Sequence, residues 1–557
     1  MKKTLASLFS LFIIQFSYSQ SIDWVAEIKG NSFEEIKGTA VSGNGDIYIT
    51  GKIDESTKAY FGNICVPYIY GRREHYFTAK CDSAGNFQWV RIGGGKLYNS
   101  GTSVALDDHN NVYTTGYSLG NAVFDSLTLN VTSNYEKSTL LKYDTDGNLK
   151  WGVKFGGNGY WDDESGECLR YHKGYLYNFC RNWGSTTVNN QLIEPYNGKS
   201  QMSYLVKFDT LGNIVMAKRI AGSSSLDLCI RDVIPVNDDL IVTGFFEGDL
   251  SLDTVTCRIT YWHHQSFIAK FNSSAELLWF KKFSSSNSTS FILDIDLDSK
   301  QNIMATGVYV DTLIVDNSTL IKSESPYFSS FFCKMDMNGN LLWIKDIAGP
   351  GEINSMALSQ NDDETYLSGY YFGSLQTGNL SLSSPYGYNL FILKYDSSGN
   401  IKYGKSYGKT DYIQVNAMGK SNSGSTFITG QYLNSTILGP YFLYADSMPG
   451  PFNSTDGFIF KFNPSGNPSS ILSTEISADP ILIYPNPGNG ILNIRMEGEN
   501  SSSEKKIRIY NTLGTVIYTT EMNANEISIN CTDQKPGIYC IRIIDGNKQY
   551  DKKFIIE

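Results

Sequence analysis

The sequence predicts an all-β chain in two parts: a seven-bladed β-propeller, then a small immunoglobulin-like β-sandwich. Three observations predict it. A phrase of alternating apolar and polar residues, ending in a turn, recurs seven times at a spacing of about 63 residues. Aromatics make up 13% of the chain and charged residues 18%, against roughly 25% charged in an average soluble domain, a balance that suits strands and turns. Residues 481–557 then break the period and show about seven short alternating runs separated by turn residues.

Residues 1–19 read as a signal peptide. Lys2 and Lys3 form a positive start, Leu8 to Phe16 a short apolar run, and Ser17 and Ser19 the small residues of a cleavage site. The run is too short for a membrane span, and no later segment is long and apolar enough for one. The net charge of −10 is spread along the chain without a basic stripe, so nucleic acid is not an expected partner.

The propeller is expected over residues 20–468. Its repeated phrase appears as "FTAKCDSAGNFQW", "LLKYDTDGNLKW", "LVKFDTLGNIVM", "FIAKFNSSAELLW", "FFCKMDMNGNLLW", "FILKYDSSGNIKY" and "FIFKFNPSGN". The shared lysines are 80, 142, 207, 270, 334, 394 and 461. Each phrase alternates with period 2, then breaks at D-x-x-G-N, with Asn in place of Asp in the fourth and seventh copies and Ala-Glu in place of Gly-Asn in the fourth. There the Asp side chain starts a turn and Gly supplies a positive φ. A second phrase ending in Thr-Gly or Ser-Gly precedes it in most copies, making four strands per repeat. Trp89, Trp151, Trp279 and Trp343 share one slot, with Tyr403 in the sixth copy, and blade-to-blade packing is their expected role. The seventh copy lacks this strand, and Trp24 near the mature N-terminus is placed to complete it and close the ring.

Several stretches imitate chemical motifs. "GNIKYGKS" at 399–406 fits the P-loop spacing, but it aligns on the repeat as turn plus outer strand, with no helix to cradle phosphates. The same alignment removes a G-x-S-x-G elbow at 404–408. Asp144-Thr145-Asp146-Gly147-Asn148 has the look of a calcium loop, but Gly comes fourth where such a loop needs it sixth. His263 and His264 in "YWHHQ" are the only histidine cluster. They read as a rim contact for metal or glycan, or as exposed loop residues. The lysine series reads as strand residues facing solvent or a neighbouring blade, their stems packed on aromatics. The variable segments before each "FIAK"-type strand are expected to lie at blade edges or rims, where propellers put binding loops. Nine cysteines follow the leader. Cys531 and Cys540 could bridge or could be small buried apolar residues. No catalytic, cofactor or metal site is assigned.

Residues 469–480 form a Ser-rich linker. The tail, 481–557, resembles the type A C-terminal sorting domain of the type IX secretion system of Bacteroidota. The resemblance rests on Tyr484-Pro485-Asn486-Pro487 with Gly490, on "IYNTLGTVIY" containing Gly514, on "KPGIYCIRI" containing Gly537, and on Lys552 and Lys553 before the apolar end. It implies recognition by the outer-membrane translocon, removal by a sortase-like peptidase, and release or surface attachment of the cargo. The repeats resemble a bacterial β-propeller repeat family (SBBP-like) without general catalytic activity. Asp125-Ser126-Leu127, Asp253-Thr254-Val255 and Asp311-Thr312-Leu313 match the triplets that some Bacteroidota O-glycosylate, and are also ordinary turn tripeptides. The expected function is therefore a secreted or cell-surface propeller, non-enzymatic, binding a glycan or protein. A polysaccharide hydrolase or lyase acting at the central channel, and a structural adhesion protein, are the alternatives.

Overall fold

The computed structural model describes residues 21–556 other than 31, 55–57, 68–73, 131–134, 157–163, 195–200, 225–226, 254, 259–262, 285–288, 316–317, 322–326, 350, 362–363, 411, 446–454, 464–480, 485–487, 489, 497–504, 512–515, 523–525 and 546–547. The signal peptide and the linker lie outside the described residues.

The described elements are all strands, and seven antiparallel four-stranded sheets follow the seven repeats. Sheet one pairs Glu34–Val41, Ile47–Asp54, Glu74–Cys81 and Phe87–Gly94. The next five sheets repeat this order, with first strands Asn99–Leu106, Ser165–His172, Leu228–Val236, Ser290–Leu297 and Ile353–Asn361. Sheet seven takes Tyr412–Lys420, Thr426–Leu433 and Thr455–Asn463 from the end of the series and Ser21–Lys29 from the start of the chain. Trp24 pairs with Lys461 there, the slot that Trp89 holds against Lys80 in sheet one. Each first strand contacts the first strand of the next sheet, and the seventh contacts the first. The first strands therefore line the axis of a closed ring. The second and third strands carry most of the core: Ile49, Phe77, Val242, Phe267, Phe331 and Phe391 are fully buried.

Every first strand carries a β-bulge at the same place. The extra residues are Lys37, Thr102, Glu167, Arg231, Leu293, Met356 and Asn416. A bulge bends the strand, increases its twist and leaves a ladder group unpaired. Side chains beside the bulges also bond the first strand of the next sheet. Leu169 N donates to Ser103 Oγ (3.1 Å), and Leu358 N donates to Asp294 Oδ2 (2.7 Å). Each of these acceptor residues directly follows a bulge, so the bulges help hold the sheets in register.

The tryptophan slot also joins sheets. Trp24, Trp89, Trp151 and Trp279 donate Nε1–H to carbonyls in the D-x-x-G-N turn of the next sheet: Ser83 O (3.1 Å), Thr145 O (3.0 Å), Thr210 O (3.2 Å) and Met337 O (3.1 Å). The turn glycine lies under the ring. A Cβ at Gly147 would sit 2.6 Å from Trp89, and one at Gly339 3.0 Å from Trp279. Sheet three has Met216 in the slot, and the following turn carries Ala275 at a φ of 56° in place of Gly. A Cβ is accommodated where the ring is absent.

Where described, the variable segments lie at sheet edges, one of the two expected places. Short hairpins occupy them, among them Lys58–Phe61 with Ile64–Pro67, Ala122–Phe124 with Leu127–Leu129, and Leu250–Leu252 with Val255–Cys257. Each of these three adds to the outer strand of the preceding sheet. This covers an edge that would otherwise present unpaired backbone groups.

The tail consists of two antiparallel sheets of three and four strands. They enclose a core that includes Leu492, Ile494, Ile507, Ile509, Ile541 and Ile543, all fully buried.

Candidate functional site

The imitated motifs resolve into hairpins. Gly399 has a φ of 75° in the turn between the strands ending at Asp396 and starting at Ile401, so the P-loop-like stretch is a turn and a strand. Asp144 Oδ1 accepts from Asp146 N (3.0 Å) and Asn148 N (2.8 Å), and Oδ2 meets Lys150 Nζ at 2.6 Å. Its carboxylate is committed to its own turn. Among the described residues, no group of three or more His, Cys, Asp or Glu is placed to hold a metal ion. All nine cysteines, including Cys531 and Cys540, are free thiols. The lysine series ends largely on carboxylates. Lys80 meets Asp46 (2.9 Å), Lys270 Asp239 (2.9 Å), Lys334 Asp298 (2.6 Å) and Lys394 Glu364 (2.6 Å).

The chemistry that does not repeat gathers at the other end of the ring, where the first strands begin. The residue after each second-strand glycine (Cys180 in sheet three) is Lys52, Tyr117, Arg181, Phe245, Val308, Tyr370 or Gln431. All but Val308 are half-buried. Third-strand starts add Glu74, Glu136, His264, Phe328 and Tyr388 beside them.

Sheets one to three make a charged arc. Lys52 Nζ meets Glu74 Oε1 at 2.9 Å and Asp54 at 3.8 Å, and Lys37 lies 3.7 Å from Glu35. Burial lowers the Lys37 pKa, and the nearby carboxylates oppose this. Arg181 Nε meets Glu167 Oε1 at 3.1 Å, and Glu167 Oε2 accepts from Ile230 N at 3.2 Å. Burial raises the Glu167 carboxyl above its ordinary value, while Arg181 pulls it down.

Sheets four to seven make an aromatic arc. His264 Nε2 sits 2.7 Å from Asp227 Oδ2, and its ring packs against Phe245 (5.5 Å) and Phe291 (5.1 Å). His264 is thus held by a carboxylate and two rings rather than free in a loop. Tyr370, Tyr388 and Tyr412 form a mutual trio with centroids 5.9 Å apart. Tyr388 Oη donates to Glu352 Oε2 (2.9 Å), and Asn354 Nδ2 donates to Oε1 (2.8 Å). Burial, then the Glu352 contact, push the Tyr388 hydroxyl up to about 12. Tyr412 donates to Gln414 Oε1 (2.8 Å) and also feels Glu35, so the two arcs meet.

Deeper along the axis, Arg170 pairs with Asp232, and Asp232 lies against Asp294. Burial first, then the Asp232 charge, hold the Asp294 carboxyl protonated well above the usual carboxylate range.

In the tail, Tyr484 donates to Glu526. Gly490 has a φ of 91°, and a Cβ there would lie 2.7 Å from Thr532 Cα. Gly537 opens the strand Gly537–Asp545, and Lys552 lies half-buried opposite Ile541. Lys553 pairs with Cys540 in the same ladder. Pro485, Asn486, Pro487 and Gly514 lie outside the described residues. Asp125, Asp253 and Asp311, which start the three Asp-Ser/Thr triplets, all have positive φ in turns.

Residues 482–557 match the family model of the secretion system C-terminal sorting domain. The protein is secreted or held on the outer cell surface. Among the described residues, no helix is long and apolar enough to cross a membrane. The chain is similar to an uncharacterized WD repeat-containing protein of Acanthamoeba polyphaga mimivirus, at 20% identity over 78% of this chain and 32% of that protein. It is also similar to an endo-acting ulvan lyase of Formosa agariphila, at 31% identity over 16% of this chain and 17% of the enzyme. The chain thus spans a third or less of the length of these relatives. A solved ulvan lyase of family PL25, bound to its saccharide, overlaps 74% of this chain and 93% of its own, with a TM-score of 0.37 and 10% identity.

Proposed function

We propose that the protein is a non-enzymatic binding module, secreted or at the cell surface, whose seven-bladed β-propeller presents its axial mouth to a glycan or protein. An immunoglobulin-like tail serves as its export address. The observation that carries this reading is the mouth itself. There, the residue after the second-strand glycine differs from repeat to repeat, with rings on one arc and ion pairs on the other. A rigid ring presenting variable side chains is a binding arrangement. The closed series of seven sheets supports the propeller reading, and the two-sheet tail supports the sandwich. Under this reading the leader, 1–19, is removed on export. The type IX translocon and a sortase-like peptidase then act through Tyr484-Pro485-Asn486-Pro487, Gly490, Gly514, Gly537, Lys552 and Lys553. The repeats belong with SBBP-like propellers.

The test is titration of the purified mature chain against glycans and surface proteins, with product release followed in parallel. Saturable binding without product supports the reading, and turnover overturns it. One observation favours a second reading, a polysaccharide lyase or hydrolase. The His264–Asp227 pair has the form of an imidazole oriented by a carboxylate. Product release abolished by His264→Ala would establish that alternative.

A further inference from the structure

We infer that the axial channel takes one anionic group of a saccharide, a carboxylate or a sulfate ester, on Arg231 with Lys37 facing it. The inference rests on the binding reading above and adds the ligand's charge class. Two independent observations carry it.

The first is the exposure of the bulge residues, just inside the mouth. Each first strand is backed by its own second strand and flanked by the first strands of its neighbours. A side chain exposed there opens on the axis, and a bulge re-aims a side chain. Among the described bulge side chains, Lys37 and Arg231 are exposed, while Thr102, Glu167, Leu293 and Asn416 are half-buried. Sheets one and four stand three apart in the closed series of seven, so the two cations face each other across the channel.

The second observation is that the Arg231 donors are unspent. The carboxylate beside it, Glu167, is turned to Arg181 Nε (3.1 Å) and to Ile230 N (3.2 Å). Among the described residues, Arg231 forms no hydrogen bond and no ion pair. Its planar fork of N–H groups matches a carboxylate or sulfate in shape and charge. The backbone on both sides is fixed, since Glu167 holds the Ile230 amide and Arg170 holds Asp232. Lys37 meets Glu35 at 3.7 Å, a looser contact than the 2.6 Å of Lys334 with Asp298. The entrance in front of them is acidic: Glu35, Asp54, Glu74, Glu136, Asp227 and Glu352 outnumber Lys52 and Arg181. A charge-dense chain would be repelled along its length, whereas a chain with isolated anionic groups can set one of them on Arg231. The half-buried rings of Tyr370, Tyr388 and Tyr412, with Phe372 beside them 40% exposed, offer apolar area to the C–H faces of its uncharged sugars.

The experiment uses the full mature chain in affinity electrophoresis and calorimetry. Xylan and galactan are each presented neutral, sparsely substituted with uronate and sparsely sulfated, beside polygalacturonate as the charge-dense chain. The expected result is that one sparsely charged form binds about tenfold or more tighter than its neutral parent, as a charge-assisted contact gives, and tighter than polygalacturonate. The form preferred identifies the group as carboxylate or sulfate. Arg231→Gln should abolish the preference, and Arg231→Lys, which keeps the charge and loses the fork, should retain part of it. Lys37→Met should lower it a few-fold, and thermal unfolding of each variant confirms that the ring is intact. Equal binding of neutral and charged forms, tightest binding of polygalacturonate, or a preference that survives Arg231→Gln would overturn this inference and leave the binding reading standing. Absence of binding to every glycan would overturn this inference together with the glycan half of that reading.

Discussion

Replacing Gly339 by Ala tests whether the tryptophan slot and the turn glycine form one unit across the sheet boundary. Gly339 has a φ of 80°, and its Cβ would lie 3.0 Å from the Trp279 ring. An alanine in the left-handed region costs about 1–2 kcal/mol. Pushing the ring aside adds about 1–2 kcal/mol of overpacking. Trp279→Met alone loses the 3.1 Å hydrogen bond to Met337 O, about 1 kcal/mol, and part of the ring's buried area. The double variant, Trp279→Met with Gly339→Ala, recreates the Met216–Ala275 combination that the chain already uses. The steric part should then vanish, leaving a coupling of about 1–2 kcal/mol in a double-mutant cycle. With unfolding entropy of about 2.1 cal/mol/K per residue, a ring of this size shifts its melting temperature by only about 1 °C per kcal/mol. Guanidinium midpoints should therefore be measured beside thermal ones. Additive effects, within about 0.5 kcal/mol, would refute the coupling and reduce the slot to a local preference.

Three further outcomes are expected. The folded state raises the Asp294 pKa above the unfolded value of about 3.9, so its contribution to stability is complete below that value and is lost as pH rises through the folded one. Asp294→Asn should flatten the decline in melting temperature across that window, and an unchanged pH profile would count against a protonated Asp294. Lys334→Met leaves Asp298 without its cation, and both side chains are only 8% exposed. The loss should fall below the roughly 3–5 kcal/mol of a broken buried pair, because Asp298 keeps N–H donors from Lys300 and Asn302. Denaturant titration measures it, and a loss above that range would show that those donors do not compensate. Gly490→Ala forces a side chain toward Thr532 at a positive φ and should unfold the tail selectively. Cell fractionation should then show cargo retained in the periplasm, while the isolated ring melts normally; normal export of the variant would contradict this.

The ring was legible in the sequence because its scaffold repeats. The period, the lysines, the turn asparagines and the tryptophan slot each recur, and recurrence is visible without coordinates. Trp24 was legible as the closing strand because the seventh copy lacked one. The bulges were not legible: the extra residues run Lys37, Thr102, Glu167, Arg231, Leu293, Met356 and Asn416 and share no chemistry, so only backbone geometry relates them. The variable segments were placed at edges or rims, but their pairing as hairpins with the preceding repeat was not legible, because it leaves no local periodic mark. The mouth was hidden for a related reason. A site assembled from one side chain per repeat, about 63 residues apart, is made of the residues that differ at a position that recurs. His264 shows the limit most clearly, since its partner Asp227 lies 37 residues earlier, just ahead of another strand, and nothing in the sequence links the two.

The strand borrowed from the start of the chain also determines how the ring would bear load. Thr455–Asn463 is hydrogen-bonded along its length to Thr426–Leu433 on one side and to Ser21–Lys29 on the other. The chain continues from its end through residues 464–480 to the tail. Tension applied through the tail, as on a protein tethered by that end in flowing water, would run along this strand and load both ladders in parallel. Many hydrogen bonds would then have to fail together in shear, whereas a terminal outer strand could be peeled away bond by bond. Sharing the last sheet between the first strand and the end of the repeats thus makes the point of traction a mechanically strong part of the ring.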